Sequence, residues 1–141
     1  MGVETDYIAA EDKHLDEILS SANPIEKFGG VYGKGTDPVS LSTLFCTATG
    51  QEFDPSLIDQ FEPVRADDGF ERMVLPVPEN IRDFLATISE INVDDVLSTW
   101  KRTAEYELAG WDEKDARTFL IEIGAYANQS KHLPLYMWIS V

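Results

Sequence analysis

Polar and apolar positions alternate at the start of the chain. Val3, Thr5, Tyr7 and Ala9 fall on one side, Glu4 and Asp6 on the other, and this period of two predicts a half-buried strand over 3–9. The period then lengthens. Leu15, Ile18 and Leu19 form an apolar stripe on a short acidic helix over 10–20, which Asn23-Pro24 is expected to end. The run FGGVYGKG at 28–35 carries four glycines and reads as a flexible loop or an irregular edge strand. Asp37-Pro38 is a strong helix start: the aspartate can cap, and proline at the first helical position loses no hydrogen bond. That helix should reach about Thr49 and stop at Gly50, with Val39, Leu41, Leu44, Phe45 and Ala48 inward. Asp54-Pro55 opens a further turn of helix through Ile58.

Residues 61–77 read as a hairpin around a two-residue Asp68-Gly69 turn, with Pro63 and Pro76 marking unpaired or edge stretches. Three helical segments follow. The first, over 79–89, carries Ile81, Phe84, Leu85 and Ile88; the second, over 93–109, carries Val93, Val96, Leu97, Trp100, Ala104 and Leu108. The third, over 112–131, starts at Asp112 and turns Ala116, Phe119, Leu120, Ile123 and Ala127 inward. The closing LPLYMWISV is apolar on both sides of an extended chain, so it predicts a buried strand. The element order is not regular βαβ alternation. It implies one α+β domain over 1–141, with a single mixed or antiparallel sheet of about four or five strands and helices mainly on one face.

Charge narrows the choice of partner. Asp and Glu number 26 against 11 Lys and Arg, for a formal net charge of −15. Phosphate backbones and anionic membrane surfaces are repelled, so nucleic acid and membrane are not expected partners, whereas a basic protein is. Part of the excess has local work: Asp37, Asp54 and Asp112 at helix starts, Asp68 in a turn, Glu113 and Asp115 in a first turn. A dense patch remains at Glu11, Asp12, Asp16 and Glu17. Trp111, between Gly110 and Asp112 at a helix junction, either covers the core edge or projects as an anchor for Arg or Lys. These five residues form the expected partner-binding surface.

Catalytic signatures are missing. The glycine-rich run fails the phosphate-loop spacing, because Lys34 is followed by Gly35 and no glycine stands at 28. His14, His132 and Cys46 are far apart and fit no metal pattern, so no metal or cofactor is expected. Cys46 reads as a small buried hydrophobe without a basic neighbour to activate it. The adjacent acid pairs face different ways on a helix and make no dyad by themselves. One cysteine, no membrane-length apolar run, and a start without a basic or an apolar region suggest the cytoplasm.

The leading reading is therefore a non-enzymatic protein-interaction module, inhibitor- or immunity-like, for a basic partner. The alternative is a small enzyme or ligand-binding domain with a pocket between sheet and helices, using Tyr, His and carboxylates from separate segments. The apolar last strand also leaves open a homodimer in which it pairs with its twin.

Overall fold

The computed structural model describes residues 3–141. Met1 and Gly2 lie outside the described residues. The strands are β1 (Glu4–Ala9), β2 (Val31–Tyr32), β3 (Arg65–Ala66), β4 (Arg72–Pro76) and β5 (Leu135–Ser140). They form one open sheet in the order β2-β1-β5-β4-β3, and every neighbouring pair is antiparallel. The helices are α1 (Leu15–Ser20), α2 (Pro24–Phe28), α3 (Pro38–Ala48), α4 (Ser56–Asp59), α5 (Glu79–Leu85), α6 (Val93–Trp100), α7 (Ala104–Leu108) and α8 (Glu113–Gln129). The α+β class, the buried last strand and the placement of the helices mainly on one face all agree with the sequence pattern. No helix among the described residues is long and apolar enough to cross a membrane.

The sheet is covered unequally. On one face Tyr7, Ala9, Leu75, Leu135, Met137 and Ile139 pack beneath the main helical layer, which includes Leu41, Ile81, Leu97 and Leu120. On the other face Ile8, Val74, Tyr136 and Trp138 meet only Leu15, Ile18 and partly buried Leu19, Ile25 and Phe28, from the short helices α1 and α2. Both faces of β1 are thus covered, and the half-buried strand expected over 3–9 is buried from Thr5 to Ala9. The physical reason is Pro24. Proline stops a helix in its interior but suits a first turn, and here it opens α2 and brings a second layer onto the sheet.

Three local readings change. The helix expected over 93–109 breaks into α6 and α7, because the Thr103 hydroxyl accepts from Tyr106 N–H and caps a new helix. The break shifts the phase, and Leu108, expected inward, is 85% exposed. Val39, in the first turn of α3, is likewise 40% exposed. In the β3–β4 hairpin, Asp68-Gly69 sits inside a longer loop. Phe70 N–H donates to Asp67 C=O, and the left-handed residue is Phe70, at φ +52°, not Gly69. That is a turn followed by a left-handed residue rather than a two-residue turn.

The glycine-rich run is a close-packed edge. Tyr7 is fully buried and its hydroxyl lies 2.7 Å from Thr36 Oγ1. A Cβ at Gly33 would come within 2.3 Å of the Tyr7 ring. Strand β5 is central: within the chain, both its edges are taken, by β1 and β4.

Candidate functional site

The acidic patch read from the sequence has largely been answered from within the chain. Arg65 Nε is 2.7 Å from Asp16 Oδ1, Lys27 Nζ is 2.6 Å from Glu17 Oε2, and Lys13 Nζ is 3.6 Å from Glu11 Oε2. Asp12 accepts from the Tyr136 hydroxyl at 2.9 Å. Each of the four acids therefore has a local partner. Exposed pairs of this kind contribute little to stability, but they reduce the field the patch presents.

Trp111 is built into the core edge. Its ring stacks on Phe119 at 5.5 Å between centroids and lies 5.6 Å from Trp100. Lys34 covers its outer side, with Nζ 4.9 Å from the ring centroid and 3.0 Å from the Gly110 carbonyl. A cation of this chain already occupies the face that a partner's Arg or Lys would take.

The remaining candidate groups do not converge. His14 packs on Phe28 at 5.7 Å, His132 is exposed, and Cys46 is buried within α3. Neither histidine lines any of five surface concavities. Among the described residues no group of three or more His, Cys, Asp or Glu could hold a metal ion.

Two concavities share one end of the sheet. Successive strand residues point to opposite faces, so β5 lines both, through Ile139 on one side and Trp138 and Ser140 on the other. Ile139 and Val141, with Phe61, Met73 and Leu75, floor the larger one, of about 700 Å³, whose rim carries Asp37, Asp59 and Glu62. The Asp37 carboxylate is committed to the α3 cap, accepting from Ser40 N–H at 2.8 Å. The opposite face holds a concavity of about 500 Å³ lined by Glu4, Asp6, Asn23, Tyr32, Trp138 and Ser140, among others. It lies where the thin α1–α2 layer stops short of the sheet end.

Asp6 is the unusual group there. It is 7% exposed, and it stands in register with Tyr32 on one side and Trp138 on the other. Neither an ion pair nor a hydrogen bond to its carboxylate is present among the described residues. Burial, reinforced by the negative charge of Glu4 two residues away, pushes its pKa up to about 6. The Trp138 indole N–H is also buried without a partner among the described residues. Tyr32 is half-exposed, and its phenol pKa is raised by burial first, then by a side-chain hydrogen bond to Glu4 and by the negative charges of Glu4 and Asp6. Sequence reasoning passed over all three. The available signal was a carboxylate in a strand whose pairing partner is apolar on both sides.

Comparison with protein-family models, with curated proteins and with solved structures finds no match.

Proposed function

We propose that this chain is a non-enzymatic interaction module that binds a basic polypeptide through its concave surfaces. One observation carries the reading. Across five concavities the charged lining residues are carboxylates (Asp37, Asp59 and Glu62; Glu4 and Asp6; Glu105; Glu90; Asp115 and Glu122), with Lys34 the exception. Lys34 is spent on Trp111 and the Gly110 carbonyl. Recesses with low-dielectric walls and one sign of charge focus the field, so cationic groups are drawn to them over the flat surface. The largest recess joins an apolar floor to Asp59 and Glu62, and suits a segment in which an apolar side chain neighbours a basic one.

The test separates location from total charge. A fluorescent Arg- and Lys-rich peptide with interspersed Leu is titrated at low and high salt, beside a Glu-rich control of equal length. The basic peptide is expected to bind and to weaken on the order of tenfold as salt rises, as steered complexes do. Asp59→Asn with Glu62→Gln should weaken it. Glu79→Gln with Asp83→Asn, an equal change in charge outside the five concavities, should leave it nearly unchanged. Equal losses from both double variants, or equal binding of the Glu-rich peptide, would sink the proposal.

A further inference from the structure

The geometry points to the concavity floored by Asp6 as a receptor for a single arginine side chain of the partner. The inference rests on the basic-partner reading and narrows it to one chemical group. An ionised carboxylate taken out of water is costly unless a cation or several donors satisfy it, and Asp6 has neither among the described residues. The chain's own nearby cations are engaged elsewhere. Arg72, two strands away in the row Glu4–Ser140–Arg72, donates to the Ser20 carbonyl at 3.2 Å, and Lys27 is held on Glu17 at 2.6 Å. A cation that answers Asp6 would therefore enter the recess from outside the chain.

The surroundings select a guanidinium. Tyr32, Asp6 and Trp138 form one row across β2, β1 and β5, with strands about 4.8 Å apart. The carboxylate is therefore flanked by aromatic rings on both sides. A planar guanidinium can donate two parallel N–H bonds to Asp6 while lying along an aromatic face. It leaves further N–H groups for Glu4, on the same face of β1, and for the Ser140 hydroxyl and Asn23 side chain that also line the recess. A lysine ammonium is a more strongly hydrated point charge and gains less from the rings. The space, about 500 Å³, accommodates the head and its aliphatic stem.

The probe is N-acetyl-arginine methylamide, titrated into the ¹⁵N-labelled full chain, with the citrulline and lysine counterparts as controls. Saturable shifts are expected at the Trp138 indole N–H and at the amides of Asp6 and Tyr32, with the lysine compound weaker and the neutral citrulline compound silent. Asp6→Asn should weaken the arginine compound on the order of tenfold or more. Tyr32→Ala, a change at a half-exposed edge position, provides the same reading should Asp6→Asn fail to fold, and a loss of several-fold is expected. Unchanged affinity in these variants, or equal binding of citrulline or lysine, overturns the arginine receptor. The two readings fail separately. A basic peptide that binds wild type and Asp6→Asn alike ends this inference and leaves the interaction module standing. An arginine compound that binds at Asp6 while basic peptides do not bind ends the module and keeps the receptor.

Discussion

Asp6 and Trp138 face each other across β1 and β5; the Trp138 indole N–H is buried, the Asp6 carboxyl is recessed, and neither has a hydrogen-bond partner among the described residues. Two such groups side by side in a sheet weaken it, and the carboxylate does so in a pH-dependent way. Its pKa rises from 3.8 to about 6 on folding, through burial and then Glu4. Below the lower value the group is protonated in both states and contributes nothing. Between the two, the folded chain keeps a proton that the unfolded chain has lost, so this group lowers stability as pH rises, and above about 6 the whole penalty is present. Asp6→Asn should therefore stabilise the fold at neutral pH by about 1–2 kcal/mol, less than the full shift implies because the carboxyl opens onto the recess. Urea midpoints on either side of pH 6 measure this. A variant with wild-type pH dependence would show that Asp6 is not the strained group.

Gly33 should be irreplaceable on steric grounds. A Cβ there would lie 2.3 Å from the Tyr7 ring and 2.9 Å from Thr36 Oγ1, and Tyr7 cannot retreat because it is fully buried and tied to Thr36. Gly33→Ala is expected to cost about 1–3 kcal/mol by overpacking. Tyr7→Phe keeps the ring and loses one hydrogen bond, for about 1 kcal/mol. Thermal melts of the two variants should fall in that order.

Trp111→Ala should behave as a core truncation. The ring is stacked on Phe119 and touches Trp100, so its removal is expected to cost on the order of 2–4 kcal/mol. Lys34→Ala removes the covering cation and one exposed hydrogen bond to the Gly110 carbonyl, and should cost about 1 kcal/mol. Denaturant titration separates them, and a Trp111 variant within about 0.5 kcal/mol of wild type would restore the reading of this residue as a surface anchor.

Removal of residues 136–141 takes away nearly all of β5, which pairs with both β1 and β4. No cooperative melt is expected from the shortened chain. One that melts near the parent temperature would contradict the strand order.

What could be read from the sequence was what neighbours in the chain decide. Asp37 and Asp112 cap the helices they precede because a capping carboxylate needs only the next few N–H groups. The apolar LPLYMWISV announced a buried strand. What escaped depends on residues distant in sequence. Arg65 and Tyr136 come from far along the chain to answer Asp16 and Asp12, and no local pattern could foretell those contacts. Asp6 was hidden for a related reason. Beside Glu4 it read as the wet side of a strand, and only the docking of α2 through Ile25 makes it a recessed group.

The position of β5 also bears on how the molecule comes to exist. Strands β1 and β4 never touch each other; they are joined only by a strand made after both. While the ribosome is still working through α8, the early strand has no partner but the two residues of β2. Sheet closure is thus a late event of high sequence separation, the kind that slows folding. Until it happens, Tyr7 and Ile8 are apolar surface that other chains, or a chaperone, can reach.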